Sequence, residues 1–119
     1  MRRSRTATKE KCSGRWPPSR ARLERLVEEA IVDAYDESEQ RDGLFTMVKD
    51  NLRLPFDTEV LGVPVTVERV DLTEAGEVVA ICRHGPNRQR IAILDLPLPS
   101  PRPDGAEWIE AYRYWARGQ

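Results

Sequence analysis

The spacing of apolar positions changes twice along the chain. From Leu23, the residues Leu23, Leu26, Val27, Ala30, Ile31 and Ala34 fall at i, i+3, i+4, i+7, i+8 and i+11. That spacing predicts one buried helical face. A second helical period follows Asp42, with Leu44, Val48 and Leu52 spaced by four and flanked by Phe45 and Met47. Gly43 inside this pattern costs about 1 kcal/mol relative to Ala, so it is expected near an end or at a tight contact. Pro55 pushes Leu54 into an extended conformation and stops the helix. From Thr58 to Leu72 the period becomes two, with Val63, Val65 and Val67 alternating with Pro64, Thr66 and Glu68, and Gly62 marking a turn or bulge. Glu77–His84 and Arg88–Leu96 read as further strands, and the turn-like "EAGE" and "GPNR" between them predict antiparallel hairpins. Beyond the stiff "PLPSPRP" connector, Trp108, Tyr112 and Trp115 fall at i, i+4 and i+7, the spacing of a core-facing helical stripe. Asp104 and Glu107 have the D-x-x-E spacing of a capping box for that helix.

This order predicts an α+β fold: two N-terminal helices, a small antiparallel β-sheet of about three to five strands, and a C-terminal helix packed on the sheet. A length of 119 residues suits one domain. Residues 1–20 have no apolar period and read as a disordered basic arm; residues 21–119 read as the single domain. "WPPSR" ends the arm, and Ser19 is placed to cap the first helix. No stretch is apolar enough to span a membrane, and no apolar segment follows the basic N-terminus, so the expected location is cytoplasmic.

Charge divides the chain. Residues 1–25 carry nine Lys/Arg against Glu10 and Glu24, a net of +7; residues 26–119 carry ten against eighteen Asp/Glu, a net of −8. The arm has enough charge for salt-sensitive contacts with nucleic acid or an anionic surface, but Trp16 is its only aromatic residue. Nucleic acid is therefore the less favoured partner, through the arm alone. Cys12, Cys82 and the single histidine, His84, cannot build a structural zinc site in one chain. His84 and Cys82 share a strand face, a thin basis for nucleophilic catalysis, and no phosphate-binding or zinc-protease motif is present. The chain is expected not to be an enzyme.

The densest acid lies between the two predicted helices. "DAYDESEQ" holds Asp33, Asp36, Glu37 and Glu39, and seven acids stand against Arg41 alone between Glu28 and Asp42. Calcium takes six to eight oxygens in flexible geometry, and clustered, unneutralised carboxylates meet its electrostatic demand. The EF-hand pattern fails: counting from Asp33, position six is Ser38 and position twelve is Leu44. Asp36 followed by Glu39 is also a capping box, so the acid equally describes a charged helix joint.

Three ordered stretches carry a resemblance. "VDAYDESEQ" (Val32–Gln40), "DNLRLPF" (Asp50–Phe56) and "EAYRYWARG" (Glu110–Gly118) resemble the small bacterial CcbP-type calcium-binding family over roughly residues 24–118. The resemblance implies Ca2+ bound outside any EF-hand by acidic surface residues, for intracellular buffering or sensing. Carried onto this sequence it points to Asp50 first, then Glu39 and Asp33, with Asp36 adding charge. The family's Gly-Pro after its Asp-Ala-Tyr is here Asp36-Glu37, and half of its acidic pair is Lys49, which repels a nearby cation. Asp50 stands eleven residues beyond Glu39, about 16 Å along a helix, too far for both to grip one ion. Two weak sites, or one completed by a strand residue or another subunit of a homo-oligomer, fit that spacing.

Overall fold

The computed structural model describes residues 16–118. Helix α1 spans Arg20–Ala30, and its first turn is closed by the Ser19 hydroxyl accepting from the Arg22 N–H at 3.2 Å. Most of the arm, and Cys12 with it, lies outside the described residues. Within the arm's last five positions, Pro18 is buried, Arg102 stacks over the Trp16 ring at 4.4 Å, and Arg20 already belongs to α1.

Helix α2, Glu37–Asn51, is one uninterrupted helix that begins at the acid stretch, well before its apolar period. Leu44 and Val48 supply its fully buried face. Gly43 marks the crossing with α1: a Cβ there would collide with the Ala30 carbonyl oxygen. The glycine thus costs helix propensity and gains close backbone approach, the tight contact expected of it.

Four antiparallel strands follow: β1 (Phe56–Val60), β2 (Val63–Leu72), β3 (Val78–His84) and β4 (Asn87–Ala92), side by side in that order. The long alternating stretch read from sequence is a hairpin, turning at Leu61–Gly62 where both residues have positive φ, 52° and 78°. A two-residue hairpin requires that conformation. The last strand is shorter than its apolar run, because Ile93–Asp95 coils into a 3-10 turn that buries Ile93. A register shift between Val67 and Arg69 marks a β-bulge in β2.

One face of the sheet carries Val67, Val70, Val78, Ala80 and Cys82 into the core with Leu26, Leu44, Val48 and Leu52. Helix α3, Ala106–Arg117, adds Trp108, Ile109, Ala111, Tyr112 and Trp115 to that core. The aromatic stripe is therefore core, as its spacing indicates. The capping box expected from Asp104 and Glu107 does not form. Gly105, at φ 86°, takes the N-cap position with no side-chain cap. Its missing Cβ lets the backbone lie against the Asn51 carbonyl and Leu52, so packing against the end of α2 overrides the capping signal. The Arg113 guanidinium clamps the segment after β4, donating to the carbonyls of Ile93 and Leu96 and pairing with Glu110.

Candidate metal centre

The acid stretch occupies the joint between α1 and the first turn of α2. Helix α1 ends when the Ile31 N–H bonds the Val27 carbonyl, and a turn closes from the Ala34 N–H to the Ile31 carbonyl at 2.9 Å. Asp36 is the N-cap of α2: its Oδ1 accepts from the Glu39 N–H at 2.8 Å. Glu39 reaches back, and its Oε1 accepts from the Tyr35 N–H at 2.7 Å. That bond lands one residue before the cap itself, a variant of the reciprocal box. Both carboxylates sit at the positive end of the helix dipole. Glu37 pairs with Arg41 at 3.1 Å.

Asp33 lies in the turn and is exposed, and its carboxylate has no hydrogen bond or ion pair among the described residues. The same holds for Glu28, Glu29 and Asp42. Asp33, Asp36 and Glu39 therefore share the joint. Asp50 does not. It stands exposed beside Lys49 in the last turn of α2, and the continuous helix keeps it about 16 Å of axial rise from Glu39. Its surroundings are different: there the Arg53 N–H donates to the Asp104 carbonyl at 2.8 Å, and the Arg53 side chain lies 3.8 Å from the Asp104 carboxylate.

Among the described residues, no three His, Cys, Asp or Glu side chains are grouped to hold a metal ion. The donor chemistry at the joint nonetheless fits calcium. Capping consumes one oxygen of Asp36 and one of Glu39, whereas an ionised carboxylate offers about four lone-pair sites. Two of the joint's carboxylates are thus held in place by backbone hydrogen bonds while retaining an oxygen for a cation. A calcium ion there would complete its shell with carbonyl oxygens and water.

Two further features went unread in the sequence. Gln40, next to Glu39, accepts from Trp115 Nε1 at 2.9 Å, and Arg41 lies over the Trp115 ring at 5.7 Å, so the joint is wired to α3. No local spacing announces that contact. On the sheet's outer face, Glu68 accepts from Arg83 at 2.7 Å and from Arg88 at 2.9 Å. These two bonds, the one with Arg88 foremost, hold the Glu68 carboxyl below its ordinary pKa. The alternation Arg88-Gln89-Arg90 was the available signal, since period two puts both arginines on one face. At the end of β3, His84 is exposed and Nδ1 donates to the Pro64 carbonyl at 3.0 Å, while Cys82 is buried with the core, where desolvation pushes its thiol pKa up.

No helix among the described residues is long and apolar enough to cross a membrane. No curated protein matches the sequence. A solved structure described as a calcium binding protein in the calcium-binding form is similar in fold, with a TM-score of 0.66 and 21% identity over 82% of this chain and 91% of that one. The family model for CcbP, described as calcium binding, matches residues 24–116. The three ordered motifs, the helix–helix–sheet–helix architecture and a match across nearly the whole domain agree, and the chain belongs to the CcbP calcium-binding family.

Proposed function

We propose that this protein binds calcium ions at the joint between α1 and α2, outside any EF-hand and without catalysis, as a cytoplasmic calcium buffer or sensor. The observation that carries the reading is the state of the joint's carboxylates in a chain of this family. Asp36 and Glu39 are set in place by the helix cap, and Asp33 has no hydrogen bond or ion pair among the described residues. Asp50, at the far end of α2, belongs to a separate, weaker position, where Lys49 opposes a cation.

Calcium calorimetry on the full chain with excess magnesium tests this. The expected result is a binding heat that Asp33→Asn and Glu39→Gln each reduce, with Asp50→Asn removing a weaker phase. Heat that appears only at millimolar calcium and ignores all three substitutions would overturn the assignment. Buffering and sensing separate at Gln40. If calcium at Glu39 moves the start of α2, the Trp115 indole N–H resonance shifts on titration; a pure buffer leaves it in place.

A further inference from the structure

The start of α1, the end of α2 and the start of α3 meet at one end of the helix layer, and the α1–α2 joint lies at the other. At the first end Arg22 stands 3.8 Å from Glu107, and Gly105 packs against the Asn51 carbonyl. The basic arm enters the domain here: Pro18 is buried, and Arg102 stacks over the Trp16 ring at 4.4 Å. Acid at this end is already balanced, with Arg22, Lys49, Arg53 and Arg102 among Asp50, Asp104 and Glu107. Residues 1–15 carry six Lys/Arg against Glu10, a net of +5, and find no excess counter-charge there.

The joint has that excess. Between Glu28 and Asp42 seven acids stand against Arg41, a net of −6. The elements around it do not neutralise it. Glu74 and Glu77 flank the turn whose Gly76 touches the Arg41 guanidinium, and they add two acids. Arg25, one turn before Glu28 on α1, and Arg117 at the end of α3 add two bases, so the balance stays at −6. Glu28, Glu29, Asp33 and Asp42 are exposed, with no hydrogen bond or ion pair among the described residues.

Reach permits the contact. Helix α1 has eleven residues, about 16 Å of rise between the arm's entry and the joint. Extended chain covers at most about 3.3 Å per residue, so fifteen residues span up to about 50 Å. About five of them match the length of α1, which brings Lys11, Lys9 and Arg5 level with the joint's carboxylates. A tethered segment meets its site at an effective concentration on the order of millimolar, so a chain's own arm outcompetes another copy's at micromolar protein.

We propose that the basic arm, residues 1–15, folds back along α1 and holds the carboxylates of its own α1–α2 joint until calcium displaces it. The proposal rests on the calcium reading above and adds its regulation: the arm is an internal competitor that sets the apparent calcium affinity.

Carbodiimide cross-linking of the full chain in chelator and low salt, mapped by mass spectrometry, tests the contact without calcium. The expected products join Lys9 or Lys11 to Glu28, Glu29, Asp33 or Asp42 within one chain. They disappear at about 1 M salt, where charges are screened beyond about 3 Å. Links only between chains, links only to Asp50 or Asp104, or links indifferent to salt overturn the proposal. Calorimetry then tests the competition. Arg5→Gln with Lys9→Gln and Lys11→Gln tightens calcium binding at least about threefold, the change expected if the arm leaves the joint open no more than about a third of the time. An unchanged affinity, or links that survive calcium in a chain that gives calcium heat, overturns the proposal. The two readings fail separately. Salt-sensitive links without any calcium heat sink the calcium reading; calcium heat without such links sinks this one alone.

Discussion

Asp36 has two roles that one substitution separates. As the N-cap of α2 it accepts from the Glu39 N–H, and as a carboxylate it adds charge to the joint. Asn caps as well as Asp, so Asp36→Asn leaves the urea midpoint near its wild-type value and weakens calcium binding. Asp36→Ala loses both, with about 1 kcal/mol of stability gone in the same urea titration. At this scale the sequence was informative where the signal is local. The D-x-x-E spacing at Asp36 and Glu39 predicted the cap that forms. The same spacing at Asp104 and Glu107 failed, because Gly105 must bring its backbone against Asn51, and a neighbour so distant in sequence leaves no trace in a four-residue pattern.

Elements were legible through their periods, and the starts of α1 and α2 through their caps, Ser19 and Asp36. The apolar period of α2 opens at Leu44, while the helix itself starts at Glu37, where capping and dipole carry it without buried side chains. Gly62 was legible as a turn or bulge, and the structure makes it a two-residue hairpin turn with Leu61, both at positive φ. Gly43 was legible as an oddity, and the structure supplies its cause in the Ala30 carbonyl. Gly43→Ala, which improves helix propensity, is therefore expected to destabilise the protein by about 1–3 kcal/mol in denaturant titration, because the added methyl pushes α1 off α2. A stabilising effect would mean the crossing yields at no cost.

For the whole molecule, the sheet's charged face makes stability depend on acid. The Glu68 pKa lies below its ordinary 4.5 because Arg88 and Arg83 bond the ionised form. A lowered folded value contributes stability that is complete above the unfolded value and fades as pH falls through the folded one. Glu68→Gln should therefore lower the melting temperature at neutral pH, and the gap between variant and wild type should close as pH drops below about 4. Melting curves across that range check the sign. The candidate site was only half readable at this scale. The acid at the joint is written in one short stretch, but its distance from Asp50 and its hydrogen-bonded link to Trp115 depend on how far α2 runs and where α3 docks.

The Gly43–Ala30 crossing has one more consequence. It closes the backbone from Ala30 to Gly43 into a ring, with the joint's acids strung along its circumference. In the calcium reading proposed above, a ring of constant length would fix how closely Asp33, Asp36 and Glu39 can approach one ion. Calcium is held at 2.3–2.6 Å and tolerates an irregular shell, whereas magnesium demands a tight octahedron. Lengthening the ring by a residue between Ile31 and Asp36 would then retune ion preference without touching a single carboxylate.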